Sequence, residues 1–285
     1  MNANIVLNDG AAIPRTGLGV FLVTDTAVCE SSVTTALDAG YRLIDTANAY
    51  RNERAVGRGI RASGVDREEI FLTTKLWPGD YGARKSADAI RGALERLDCG
   101  HIDLLLLHQP AGDVLGAWKA MEDAVDSGTV RSIGVSNFDV SDLDRLLASA
   151  RIRPVVDQIE LHPYWQQPAL LPYLAENEIV AQAWYPLGHG SKRLLGEPAI
   201  VEASAAHGRS AVQVVLRWHR QRGFVAIPKS TNPAHIASNI DIDDFALTDE
   251  QMAAIDALGG NRPMVRMPRW LMSAVMPRFR IPQLP

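Results

Sequence analysis

Residues 43–50, LIDTANAY, begin as an apolar run and end as a polar connection. The run stops at the carboxylate of Asp45, and the phenol of Tyr50 follows five residues later. This pattern predicts a short buried strand whose C-terminal end presents polar side chains. A tyrosine hydroxyl is a poor acid at neutral pH. If Tyr50 takes part in chemistry, we therefore expect a cation beside it that lowers its pKa.

Seven more short apolar runs occur along the chain, each followed by a polar break and a segment with helical spacing. The eight runs span residues 17–21, 41–45, 70–74, 102–107, 132–135, 155–159, 179–184 and 224–227. The helical segments span residues 27–39, 53–63, 86–97, 115–127, 143–150, 169–176, 211–221 and 234–240. Continuous rather than alternating apolar runs indicate parallel strands buried on both faces. Eight such units predict an α/β fold, a closed (β/α)8 barrel or TIM barrel.

A doubly wound open sheet is the alternative fold. We rank it lower because no Gly-x-Gly-x-x-Gly loop follows the first strand; Gly17 and Gly19 lead into Val20-Phe21-Leu22. Asp9-Gly10 between two short apolar runs predicts an N-terminal β-hairpin.

We also predict extra helices after strands 7 and 8 of the barrel. A long connection over residues 186–208 follows the seventh run, and a helix over residues 248–258 begins with a capping box at Thr248. The predicted domain division is a single barrel, residues 1–258, and a C-terminal tail, residues 259–285. The tail is rich in arginine, proline and methionine. A surface segment, a flap over the site and a partner-binding segment are all open interpretations of it.

Composition narrows the classes of partner. The 285 residues carry 29 basic and 33 acidic side chains, a net charge of −4, which disfavours nucleic acid as a partner. We find neither a basic and apolar leader at the N-terminus nor an apolar run of about 18 residues, so we expect a cytoplasmic protein that does not bind membranes. Cys29 and Cys99 are isolated, which favours reduced thiols, and no metal-ligand spacing occurs. We expect a monomer.

In a barrel of this type, the residues that follow the strands meet at one mouth. Asp45 and Tyr50 follow the second strand, Lys75 ends the third and His108 follows the fourth. Lys75 is the expected cation, and Asp45 on the neighbouring strand is its natural partner because an unpaired buried lysine is costly. The competing interpretation is a structural ion pair beside a core histidine.

A group of this kind predicts reduction of a ketone or aldehyde. Tyr50 would donate a proton, and a neutral His108 would orient the carbonyl oxygen. Protein side chains cannot supply hydride, so a nicotinamide cofactor is needed. A Schiff-base aldolase that uses Lys75 is a different possibility.

These residues carry a family resemblance. The pattern Asp45-Thr-Ala-x-x-Tyr50-x-Asn-Glu, with Lys75 in Thr-Thr-Lys-Leu-Trp and His108 in Leu-Leu-His, resembles the aldo-keto reductase superfamily. Segments 134–138, 158–163, 183–188 and 227–230 make it most similar to the prokaryotic 2,5-diketo-D-gluconic acid reductase-like branch. The resemblance runs from the hairpin to about residue 258, and it implies a (β/α)8 barrel that uses NADPH.

The resemblance also implies site roles. The catalytic tetrad would be Asp45, Tyr50, Lys75 and His108, with Tyr50 as the proton donor. The nicotinamide would be held by Ser136, Asn137, Gln158 and Trp184, with Trp184 stacked on the ring. The pyrophosphate, 2′-phosphate and adenine would be held by Leu187, Gly188, Lys229, Ser230, His235 and Asn239.

Two positions depart from the family pattern. His235 stands where the family usually has an arginine, and histidine cannot offer a bidentate fork to the 2′-phosphate. We still predict NADPH because Lys229 is present, with NADH possible. Gln109 stands where a tryptophan is usual, so we predict a substrate pocket lined by Phe21, Trp77 and Gln109.

The predicted function is therefore reduction of small aldehydes, ketones or dicarbonyls to alcohols. A second candidate comes from a different class: barrels of this family also serve as channel subunits, so a cofactor-binding regulatory protein with little turnover is possible. The complete tetrad favours the enzyme.

Overall fold

The computed structural model describes residues 4–260, 263–264, 271, 274–279 and 281. The chain opens with a hairpin of two antiparallel strands, β1 (Ile5–Val6) and β2 (Ala12–Ile13). Its turn contains Gly10 at φ 89°, a conformation that favours glycine. The predicted hairpin is confirmed, and its side chains pack against the lower end of the sheet that follows.

Eight parallel strands form the barrel. They are β3 (Leu18–Gly19), β4 (Leu43–Asp45), β5 (Phe71–Leu76), β6 (Ile102–Leu107), β7 (Val130–Ser136), β8 (Val156–Glu160), β9 (Val180–Trp184) and β10 (Val225–Ala226). Each strand pairs with the next along the chain. The first and last strands are joined by hydrogen bonds from Gly17 N to Ala226 O, 2.9 Å, and from Gly19 N to Pro228 O, 3.1 Å. The predicted closed barrel is confirmed, and the open sheet is excluded.

Helices follow the strands and surround the barrel. They are α1 (Thr26–Asp38), α2 (Glu53–Ala62), α3 (Ala83–Leu97), α4 (Val114–Asp126), α5 (Val140–Leu147), α6 (Leu170–Glu176), α7 (Lys192–Leu195), α8 (Pro198–His207), α9 (Ala211–Gln221), α10 (Pro233–Ile240) and α11 (Asp249–Asp256). The predicted extra helices are confirmed as α7 and α8 after β9, and α11 after α10.

Helix α5 begins three residues before its predicted start. Asp139 caps it: the Asp139 carboxylate accepts a hydrogen bond from Asp142 N at 3.0 Å, and the Asp142 carboxylate accepts one from Asp139 N at 3.3 Å. This capping box provides acceptors for the backbone amides of Asp139 and Asp142, which would otherwise lack partners at the helix N-terminus, so the helix starts there.

The interior of the barrel divides into an apolar lower layer and a polar upper layer. Leu43, Phe71 and Leu104, at the N-terminal parts of their strands, pack with the hairpin. Asp45 and Lys75, further along the same strands, are buried polar groups. The apolar layer therefore closes the bottom of the barrel and leaves the chemistry at the C-terminal mouth.

Other structural findings bear on the sequence predictions. Cys29 and Cys99 are buried and free. No helix in the described ranges is long and apolar enough to span a bilayer. Within those ranges, no group of His, Cys, Asp and Glu residues is placed to hold a metal ion. The division into a barrel of residues 1–258 and a tail of residues 259–285 stays a prediction.

Gly57 of α2 is expected to be a required glycine. A Cβ atom at this position would lie 1.9 Å from the carbonyl oxygen of Leu97 at the end of α3. Because a backbone oxygen cannot move aside cheaply, Gly57→Ala should lower the free energy of unfolding by about 1–3 kcal/mol. Urea unfolding followed by circular dichroism measures this change.

Gly92→Ala in α3 is the matched control. Its added Cβ would meet only the guanidinium end of Arg96, at 2.8 Å, and no backbone atom. Because a side-chain end moves more cheaply than a backbone oxygen and alanine favours a helix, this change should cost less stability than Gly57→Ala. Equal stability of the two variants would contradict the proposed close packing of α2 on α3.

Candidate active site

The strand ends bring the four predicted catalytic residues to one place. Asp45 is the last residue of β4, Lys75 lies near the end of β5, and His108 directly follows β6. Tyr50 ends a 3-10 turn, Asn48–Tyr50, that follows β4. In register, Asp45 pairs with Thr73, so Lys75 lies two residues further towards the mouth.

Lys75 and Asp45 form a buried ion pair. Lys75 Nζ lies 2.6 Å from Asp45 Oδ1, and it also donates to the Thr46 carbonyl at 2.9 Å and to the Tyr50 hydroxyl oxygen at 3.4 Å. Burial lowers the pKa of Lys75 and raises the pKa of Asp45, while the charge of each opposes the shift in the other. With three acceptors around it, the ammonium group has a fixed position.

The predicted lowering of the Tyr50 pKa is wrong. Burial raises the pKa of Tyr50 well above its ordinary value, and the charges of Asp45 and Tyr185 raise it further. The physical reason is that burial removes the phenol from water and so disfavours its charged form, and the nearby Asp45 carboxylate disfavours it further. Tyr50 is therefore a neutral phenol at physiological pH, the form that can donate a proton.

His108 is held neutral beside Tyr50. Burial, and then the charge of Lys75, lower the pKa of His108 to about 3. Its ring lies 5.8 Å from the Tyr50 ring, edge to face, and 5.3 Å from the Trp77 ring. A neutral imidazole next to the phenol offers a second polar group to a bound oxygen atom.

A chain of hydrogen bonds links this group to the predicted nicotinamide residues. Gln158 Nε2 donates to Asp45 Oδ2 at 2.7 Å. The Ser136 hydroxyl donates to the Gln158 carbonyl at 2.7 Å, and Asn137 Nδ2 donates to the Ser136 hydroxyl at 3.0 Å. Trp184 Nε1 donates to Asn137 Oδ1 at 2.9 Å. These four residues therefore lie together on the side of Asp45 opposite Lys75.

Asn137 reaches this position through an unusual backbone conformation. It directly follows β7 with φ 64°, in the left-handed region that asparagine tolerates better than most residues. Its side chain also donates to the His108 carbonyl at 3.1 Å. The side-chain amide of Asn137 thus connects the end of β7 to the ends of β6 and β9 through hydrogen bonds.

A cavity of about 660 Å³ opens above these groups. Its lining contains all three predicted substrate residues, Phe21, Trp77 and Gln109, together with Tyr50 and His108. Sequence reasoning did not assign Tyr185, His189, Phe279 or Ile281 to the site, although all four line it. The position of Tyr185 directly after β9 was a usable signal for that residue.

The described part of the tail contacts the mouth. Trp77 Nε1 donates to the Phe279 carbonyl at 2.8 Å. The same carbonyl passes so close to Gly79 that a Cβ there would lie 2.7 Å from it. These contacts support the interpretation of the tail as a flap over the site.

The remaining predicted cofactor residues follow β9 or β10, which are neighbouring strands of the barrel. Leu187 and Lys229 line the cavity, whereas Gly188, Ser230, His235 and Asn239 do not. Gly188 is buried in the loop after β9, His235 is exposed in the first turn of α10, and Asn239 is buried. Ser230 is held by a hydrogen bond from Asn232 N to its hydroxyl at 3.1 Å.

A neutral phenol that accepts a hydrogen bond from a buried lysine can donate its proton to an oxygen that gains negative charge. The fold and the site together therefore define the class of protein: a barrel enzyme that acts on carbonyl groups. The sequence matches the model of the aldo/keto reductase family over residues 23–259. The chain belongs to this family and is an NAD(P)H-dependent oxidoreductase. The family resemblance is thereby confirmed; the finer placement in the 2,5-diketo-D-gluconic acid reductase-like branch stays a prediction.

Individual relatives match over nearly their whole length. A morphine 6-dehydrogenase from Pseudomonas putida is 47% identical over 268 residues, covering 89% of this chain and 90% of that protein. A 9,11-endoperoxide prostaglandin H2 reductase from Trypanosoma cruzi is 43% identical over 267 residues, covering 92% of this chain and 94% of that protein. The crystal structure of a Bombyx mori aldo-keto reductase in complex with NADP has a TM-score of 0.89 at 36% identity, covering 94% of this chain and 96% of that one.

Breaking the buried ion pair should destabilise the fold strongly. Asp45→Asn and Lys75→Met each leave one buried charge without its partner, so each should lower the free energy of unfolding by about 3–5 kcal/mol. The double variant should lose less than the sum of the two, because it leaves no unpaired charge. Denaturant unfolding of the three variants measures this coupling.

Asp88→Asn is the control for this double-mutant cycle of Asp45 and Lys75. Asp88 pairs with Arg91 on the exposed face of α3, and both side chains are in solvent. Its loss should change stability by no more than about 1 kcal/mol. Additive losses in the Asp45 and Lys75 cycle would show that the two charges are not coupled.

Proposed function

We propose that this chain reduces the carbonyl group of small aldehydes, ketones or dicarbonyls to an alcohol with NADPH, and that Tyr50 donates the proton. One observation carries the proposal. The Tyr50 hydroxyl oxygen lies 3.4 Å from the ammonium group of Lys75 at the floor of the cavity, beside a neutral His108. The complex of the Bombyx mori aldo-keto reductase with NADP supports the choice of cofactor.

The residues at the mouth fit a nicotinamide. Gln158 lines the cavity, and its Oε1 accepts no hydrogen bond from the described residues, which leaves an acceptor for a carboxamide NH2. Ser136 and Asn137 would complete the contacts to the carboxamide. The half-buried indole of Trp184, held by Asn137, offers a flat face for stacking. When bound, NADPH supplies the hydride.

The other proposed contacts follow the side of the mouth. Leu187 and Gly188 would lie along the pyrophosphate, and Asn239 near the adenine. Lys229 and Ser230 would meet the 2′-phosphate, where charge-assisted hydrogen bonds distinguish NADPH from NADH. His235 in place of an arginine weakens this distinction and leaves NADH as a possible second cofactor.

Proton donation follows from the state of Tyr50. Reduction of a carbonyl develops an alkoxide, which is a stronger base than a tyrosinate, so a phenol with a raised pKa still gives up its proton to it. Lys75 then stabilises the negative oxygen left on Tyr50, because its Nζ already donates towards it. His108 orients the substrate oxygen through its imidazole.

The competing functions receive less support. A Schiff-base aldolase needs a neutral lysine that can reach its substrate, whereas Lys75 is buried and bonded to Asp45, Thr46 and Tyr50. A regulatory protein with little turnover does not require the four side chains to be kept in contact at the floor of a cavity. Carbonyl reduction is therefore the proposal we favour.

Tyr50→Phe should abolish the chemical step and preserve cofactor binding. Loss of the general acid should lower kcat by about 10²- to 10⁴-fold. NADPH oxidation with a panel of aldehydes and α-dicarbonyls measures kcat, and quenching of tryptophan fluorescence measures the affinity for NADPH.

Tyr185→Phe is the matched control, because it removes a second phenol from the same cavity without touching Lys75. It should keep kcat within about threefold, since no proton transfer depends on it. A Tyr50→Phe variant with the parental kcat would remove Tyr50 as the acid. Tight NADPH binding without turnover of any carbonyl would instead favour the regulatory protein.

His235→Arg should sharpen the preference for NADPH over NADH. A guanidinium at this exposed position in α10 can form charge-assisted hydrogen bonds to the 2′-phosphate. The ratio of kcat/KM with NADPH to kcat/KM with NADH should therefore rise by about tenfold to a hundredfold. Ala237→Arg adds the same charge two residues further along the helix and should change the ratio little. An unchanged ratio in His235→Arg would place the 2′-phosphate elsewhere.

A further inference from the structure

Gln182 is a buried polar residue behind the proposed nicotinamide site. It lies on β9 in register with Gln158 on β8, and it is fully buried. Its Oε1 accepts a hydrogen bond from Gln158 Nε2 at 2.9 Å. Its own Nε2 has no hydrogen-bond partner in the described part of the chain. A buried donor without a partner is costly, so an apolar residue would be cheaper at this position unless the amide serves another purpose.

The contact fixes the orientation of the Gln158 amide. Gln158 Nε2 donates one hydrogen to Asp45 Oδ2 at 2.7 Å and the other to Gln182 Oε1. If the Gln158 amide were turned over, its oxygen would face Asp45 Oδ2 and Gln182 Oε1, which are both acceptors, and neither hydrogen bond could form. Because Asp45 and Gln182 use both hydrogens of the Gln158 amide, Gln158 Oε1 is the atom left for a ligand in the cavity.

Asp45 alone would hold this orientation less firmly. Its carboxylate is also bound to Lys75 through the other oxygen, and a single acceptor occupies only one of the two Gln158 hydrogens. Gln182 supplies the second acceptor from a buried position on a neighbouring strand.

We infer that Gln182 is a positioning residue for the nicotinamide: it holds the Gln158 side chain so that Gln158 Oε1 accepts a hydrogen bond from the carboxamide NH2. This inference rests on the proposed function, since it requires a nicotinamide at the mouth. Gln182 itself contacts neither cofactor nor substrate; it acts through Gln158.

The experiment compares NADPH with its reduced 3-acetylpyridine analogue, in which a methyl group replaces the carboxamide NH2. Dissociation constants are measured by tryptophan fluorescence quenching, without substrate. The parent should bind NADPH about threefold to tenfold more tightly than the analogue, the value of one neutral hydrogen bond. In Gln182→Met, which keeps length and volume, this ratio should fall through weaker NADPH binding alone, because Asp45 holds the Gln158 amide less firmly without the second acceptor.

Gln182→Asn is the second variant, because its shorter amide retracts from Gln158 while the position stays polar. It should lose the same discrimination even if Gln182→Met does not fold. Thr73→Val is the matched control: Thr73 is fully buried on β5 and its hydroxyl has no partner among the described residues. It should keep the parental ratio.

The experiment distinguishes failure of the Gln182 inference from failure of the proposed function. Equal weakening of NADPH and analogue in both Gln182 variants would show that the residue supports the barrel only, which overturns the inference. An unchanged ratio in both variants, or a parent that binds the two cofactors equally, also overturns it while the proposed function stands. A parent that binds neither cofactor overturns the proposed function as well.

Discussion

The ion pair between Lys75 and Asp45 is the interaction on which the site depends. Two charges taken out of water cost several kcal/mol each, and that cost is offset only when the geometry is good and the remaining polar atoms are satisfied. Here Lys75 is bonded to Asp45, Thr46 and Tyr50, and the second oxygen of Asp45 is bonded to Gln158. The pair is possible because the parallel strands β4 and β5 are neighbours in the barrel, with Asp45 at the end of one and Lys75 near the end of the other.

Asp45 connects two halves of the site. One carboxylate oxygen faces Lys75 and, beyond it, Tyr50; the other faces Gln158, 113 residues away in sequence. A single carboxylate is therefore connected both to the proposed proton donor and to the amide proposed to hold the nicotinamide. Burial, and after it the charge of the same carboxylate, raises the pKa of Tyr50 and keeps the phenol protonated.

The walls of the cavity come from segments with few constraints from the barrel. Phe21 follows β3, Tyr185 follows β9 with φ 51°, and Phe279 belongs to the tail. Phe279 is anchored by its backbone carbonyl to the Trp77 indole, and the residue is 59% exposed beside the cavity. The floor is thus held by buried hydrogen bonds, and the walls by loops that can vary without disturbing it.

The barrel and the floor of its site could be predicted from the pattern of side chains along the chain. Apolar runs buried on both faces predict parallel strands, and strand ends of a barrel converge, so Asp45, Tyr50, Lys75 and His108 could be placed together without coordinates. The tertiary structure set the direction in which the pKa of Tyr50 shifts, because that direction depends on burial and on the nearby charge of Asp45. It also decided which residues line the cavity, including Phe279, and which way the Gln158 amide faces. These features arise from contacts between residues far apart in the chain, and no local pattern of side chains encodes such distances.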